Sequence, residues 1–158
     1  MKKSIFLVFA VILTASISSF SQGFDKGVSN VNLGLNLGWG VGIQGSYDVG
    51  ITEQISVGAG ASFNTGYWGY NSFAVGGRGA YHFGAHFNDW FNFDDSKSDP
   101  YVGAVLGFRG ISGNGTRVLS NGVYFGGMVG YRYGFSDKFG VYAEAGSPYS
   151  SIGVTFKL

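Results

Sequence analysis

Asn30 to Trp39 reads N-V-N-L-G-L-N-L-G-W. Val31, Leu33, Leu35, Leu37 and Trp39 alternate with Asn32, Gly34, Asn36 and Gly38. A period of two puts the apolar set on one face of an extended strand and the small polar set on the other; a helix would mix them. The same alternation recurs to the end of the chain and predicts strands at about 30–39, 41–51, 55–64, 72–83, 101–111, 123–135, 139–147 and 150–158. Thr52-Glu53-Gln54 and Ser136-Asp137-Lys138 are tight polar turns, and 65–71 and 112–122 are loops rich in turn residues. Residues 84–100 form a long connection with Asp89, Asp94, Asp95 and Asp99. Its Trp90, Phe91 and Phe93 either rest on a lipid interface or belong to a solvated turn.

The first 21 residues are a separate object. Lys2 and Lys3 precede an apolar run from Ile5 to Leu13, then a small polar stretch to Ser21. That is the pattern of a cleavable signal peptide, too short to span a membrane as a helix. The expected division is a signal peptide at 1–21 and one domain at 22–158. Losing two lysines would take the formal charge from +1 to −1, and a near-neutral chain offers no electrostatic footprint for nucleic acid. The chain has no cysteine, so neither disulfides nor a lipidated cysteine can hold it.

Composition narrows the class further. Charged residues are 12% of the chain, about half the usual ~25%, whereas aromatics reach 18% and glycines number 29. Disordered chains are poor in aromatic and apolar residues, so glycine richness is not disorder here. An exported chain of alternating strands with few charges fits a transmembrane β-barrel.

Alternation alone does not say which face meets lipid. A soluble barrel would carry many Lys and Glu on its polar face. Here that face is mainly Gly, Ser and Asn, which suits the crowded interior of an eight-stranded barrel. The Leu/Val/Phe face is therefore expected outside. Closure requires Asn30–Trp39 to pair with Ser150–Leu158, which leaves no open sheet edge in lipid. Two aromatic belts follow, with Trp39, Phe63, Phe73 and Phe108 at one end and Tyr81, Phe83, Tyr133, Phe135, Phe139 and Phe156 at the other.

The segments Gly76 to Phe83 (G-G-R-G-A-Y-H-F) and Asp99 to Ala104 (D-P-Y-V-G-A) resemble members of the small eight-stranded outer-membrane barrels, the OmpA/OmpX-like superfamily, from Bacteroidetes-type bacteria. Ile152 to Leu158 (I-G-V-T-F-K-L) resembles the C-terminal strand read by the barrel-assembly machinery, with Val154, Phe156 and Leu158 as its apolar positions. That signal usually ends on an aromatic, and here Leu158 is last. The resemblance implies an all-β, antiparallel up-and-down barrel in the bacterial outer membrane. It implies lipid and the assembly machinery as partners, a monomer, and 52–54, 84–100 and 136–138 on the periplasmic side.

Six charges fall on the expected lumen face: Asp48, Arg78, Arg109, Arg132, Glu144 and Lys157. Buried charges need partners. Glu144 is expected to meet Arg78 or Arg132, and Asp48 to meet Arg132 or Lys157. Such a network would plug the lumen, or gate a narrow ion path. Catalysis is not expected. His82 and His86 lie at the periplasmic end, where no Ser–His–acid set converges on the outer leaflet. No cofactor or metal is implied, since the aspartates of 84–100 lack calcium-loop spacing. Tyr67, Trp68 and Tyr70 form either a recognition patch in an outer loop or an extension of the aromatic belt.

Overall fold

The computed structural model describes residues 26–37, 40–66, 69–84, 97–113, 118–147 and 150–158. The signal-peptide pattern, Trp39, Tyr67, Trp68, His86, Asp89, Trp90, Phe91, Phe93, Asp94 and Asp95 lie outside the described residues.

Eight antiparallel strands close into a barrel in chain order: β1 (Ser29–Leu37), β2 (Gly40–Gly50), β3 (Ile55–Gly66), β4 (Asn71–His82), β5 (Ser98–Ser112), β6 (Val118–Ser136), β7 (Phe139–Gly146) and β8 (Ser150–Lys157). The expected closure is present: β1 pairs β8, with Asn30 opposite Lys157 and Leu37 opposite Ser150. At the end carrying the termini, the β2–β3 turn is tied by Thr52, whose Oγ1 accepts from the Gln54 and Ile55 amides at 3.2 and 2.9 Å. The β6–β7 turn is Asp137-Lys138.

The walls are unequal in height. β6 runs 19 residues and β5 15, whereas β7 and β8 have 8 each. Two boundaries correct the sequence expectation. β5 begins at Ser98, so Asp99 and Pro100 belong to the sheet; Pro100 has no N–H to place, and its carbonyl accepts from the Phe83 amide at 2.8 Å. β6 begins at Val118, because the Ser-Asn-Gly run 120–122 pairs through its backbone with Arg109 to Ile111 despite its turn-like side chains.

The apolar face points outward. Leu33, Leu35, Ile43, Leu106, Val123, Phe125 and Val129 are all more than half exposed, while Asn32, Asn36, Gln44, Ser46 and Asp48 are buried inside. A continuous exposed apolar band around a closed sheet is a lipid-facing surface. The aromatic belts bound it. At the termini end Tyr133, Phe135, Phe139 and Phe156 touch in sequence, with ring centroids 5.4, 6.1 and 5.5 Å apart, and Tyr81 meets Phe83 at 4.9 Å. At the other end Phe73 and Phe108 lie 6.3 Å apart.

Two inward glycines make room for large side chains. A Cβ on Gly130 would collide with the Tyr101 ring, and one on Gly34 would collide with the Tyr142 hydroxyl. Tyr101, Ala80, Val105 and Met128 form an apolar cluster on the β4–β6 side of the lumen. The β1–β3 side is polar, with Asn32, Asn36, Gln44, Ser46, Asp48, Ser56 and Ser62 buried there.

Candidate functional site in the barrel lumen

Arg78 is the hub of the interior. Its Nε lies 3.0 Å from Asp48 Oδ1. Its terminal nitrogens donate to Glu144, one to Oε1 in a close ion pair and the other to Oε2 at 3.4 Å. Both carboxylates and the guanidinium are buried. One cation between two carboxylates leaves excess negative charge, which further donors share. Glu144 accepts from the Tyr101 hydroxyl at 2.8 Å and from Gln44 Nε2 at 3.2 Å. Asp48 Oδ2 accepts from Asn32 Nδ2 at 2.8 Å and from Ser46 Oγ at 3.4 Å.

A second cluster lies toward the termini end. Arg132 donates to Asp99 Oδ2 at 3.4 Å and to Asn32 Oδ1 at 3.5 Å, and its guanidinium carbon sits 5.4 Å from the Tyr101 ring centroid. His82 Nδ1 is 2.9 Å from Asp99 Oδ2, and its Nε2 is 2.9 Å from Ser56 Oγ. Asn32 bridges the clusters. The result is one connected run, Gln44–Glu144–Arg78–Asp48–Asn32–Arg132–Asp99–His82–Ser56. With Tyr101 on Glu144, it joins seven of the eight strands.

The six charges expected in the lumen do not all meet. Glu144 pairs with Arg78. Asp48 goes to Arg78 instead of Arg132 or Lys157, and the register explains it. Gly58 stands opposite both Asp48 and Arg78, so no side chain separates them across β3. Arg109 stands beside Gly122 near the far end, where it is exposed, away from the Arg78 hub. Lys157 is half-buried at the termini end and lines a small cavity there. Tyr70 is exposed at the far end. Of the C-terminal positions, Val154 and Phe156 sit on the outward face, and the Leu158 amide donates to the Ser29 carbonyl at 2.8 Å.

Ser56, His82 and Asp99 were not expected together. Their order matches the connectivity of an acyl-transfer triad: hydroxyl to Nε2, Nδ1 to carboxylate. The surroundings do not present it to a substrate. Ser56 is 3% exposed and His82 2%. The cavity reaching Asp99 and Arg132 is lined by neither Ser56 nor His82. Asp99 also serves Arg132, so the set is one arm of the network. Among the described residues, no group of three or more His, Cys, Asp or Glu side chains has metal-holding geometry.

No family model matches the chain, and no curated protein matches it in sequence. Solved structures do match in shape. The N-terminal β-barrel domain of Pseudomonas aeruginosa OprF is similar at 16% identity and TM-score 0.63, over 84% of this chain and 98% of that one. A de novo designed transmembrane β-barrel matches at 16% identity and TM-score 0.59, over 87% of this chain and 100% of the design. Neisserial surface protein A matches at 14% identity and TM-score 0.57, over 83% and 95%. The fold is that of the small eight-stranded membrane-spanning barrels.

Proposed function

We propose that this chain is an integral outer-membrane barrel with a structural or surface-recognition role, its lumen closed by its own side chains, and that it is not an enzyme. The connected run from Gln44 to Ser56 carries this reading. Eight-stranded barrels leave an interior that side chains can fill, and here the residues that fill it bond to each other. The outward apolar band and its aromatic belts support residence in a membrane. The similarity to OprF and Neisserial surface protein A supports the outer membrane in particular. A designed transmembrane barrel matches to a similar degree, so likeness in shape does not by itself assign an activity. Surface recognition would fall to the far-end loops around Tyr67, Trp68 and Tyr70. Changing Trp68 and Tyr70 to Ala should then abolish cell adhesion while assembly stays intact; unchanged adhesion would sink that role.

Planar-bilayer recording of the refolded protein tests the closed lumen. The expected result is no steady conductance. A steady conductance abolished by Glu144→Ala would replace the plug with the second reading, a narrow channel. That reading has an observation of its own. Asn36 Oδ1, Gln44 Oε1 and Ser62 Oγ are buried on the far side of the Arg78–Glu144 pair and have no protein hydrogen-bond partner among the described residues. Buried polar atoms of this kind bond water.

A further inference from the structure

A cavity of about 40 Å³ opens at the termini end, between the β6–β7 turn and the last residues of β8. Lys97, Arg132, Lys138 and Lys157 line it, against the carboxylates of Asp99 and Asp137. Four of the chain's ten Lys and Arg residues therefore surround one small space in a molecule whose formal charge is only +1. Four cations against two carboxylates leave the wall net positive, and the Arg132–Asp99 pair cancels without changing that balance.

The geometry is built in. The Gly134 amide donates to the Lys97 carbonyl at 2.9 Å, which fixes the start of β5 against β6. The Lys157 amide donates to the Lys138 carbonyl at 3.0 Å, which fixes the end of β8 against the turn. Arg132 stands opposite Asp99 in the sheet, and Thr155 opposite Gly140. Thr155 also lines the cavity, and its buried hydroxyl has no hydrogen-bond partner among the described residues. A water needs roughly 10–15 Å³ of free space, so the cavity matches a group of several heavy atoms. Basic residues from the start of β5, from β6, from the β6–β7 turn and from the end of β8 bordering one space suit a multiply charged tetrahedral oxyanion.

We propose that this basin is a phosphate-binding site. Two sources share that chemistry, free inorganic phosphate and the headgroup of a phospholipid.

The test uses the full chain refolded in phosphate-free maltoside micelles. Calorimetric titration with inorganic phosphate is one arm, and titration with short-chain phosphatidic acid is the other. Saturable binding is expected in at least one arm at constant ionic strength in chloride, and the arm that responds identifies the source. Lys138→Ala/Lys157→Ala should weaken it about tenfold, and Thr155→Val should weaken it measurably. Lys138→Ala alone, in an exposed turn, should also weaken binding while leaving the heat-modifiable gel shift intact, which separates a lost site from a lost fold. Absence of saturable binding in both arms, or binding unchanged in all three variants, overturns the proposal.

Discussion

Ile43 and Gln44 are neighbours in β2 and answer to different rules. Ile43 is 64% exposed on the outward face, where any apolar side chain of suitable size meets lipid equally well. Gln44 is 4% exposed in the lumen and donates to Glu144, a hundred residues away. The outward face is held by a property, the inward face by particular partners. Substitution should therefore be forgiving outside unless it brings charge, and unforgiving inside even where size is kept.

Four substitutions set that contrast to the test, each read as folding free energy from urea titration in liposomes. Arg78→Ala should have the largest effect, a loss of about 3–5 kcal/mol, because it leaves Asp48 and Glu144 buried together without their cation. A loss below about 1 kcal/mol would mean the lumen is wet enough to solvate both carboxylates. Leu33→Arg at mid-height on β1 should cost about 2–4 kcal/mol, the penalty for a cation near the centre of the bilayer; a negligible cost would put that position in water and break the lipid-facing assignment. Tyr101→Phe removes one donor from Glu144 and should cost about 1 kcal/mol. Ile43→Val should stay within about 0.5 kcal/mol. If it cost more than Tyr101→Phe, the contrast between the faces would be wrong.

The same contrast explains what could be read in advance. Eight strands, their faces, the β1–β8 closure and the aromatic belts follow from a period of two and from where large apolar residues stop. The lumen pairing followed only in part. Glu144 with Arg78 is a matter of height along the barrel. Asp48 with Arg78 depends on Gly58 standing opposite both, a register detail fixed by the turn lengths around it. Asp99 was hidden because a Pro and a preceding polar run made the start of β5 look like loop, and with it went the contacts to His82 and Arg132. Asn32 and Gln44 were visible as inward polar residues, but nothing local says that an amide will bridge two charged clusters.

The unequal walls set how the barrel sits. Strands tilted by about 45° rise roughly 2.4 Å per residue along the bilayer normal. The eight residues of β7 and β8 then cover about 19 Å, short of the ~30 Å hydrocarbon layer, while the 19 residues of β6 cover about 45 Å. A cylinder with one low side does not stand upright. The bilayer should thin beside β7 and β8, the barrel axis should lean, and the tall β5–β6 hairpin should stand clear of the headgroups on the side away from the termini. Strand length thus acts together with the aromatic belts in setting how the barrel sits in the bilayer.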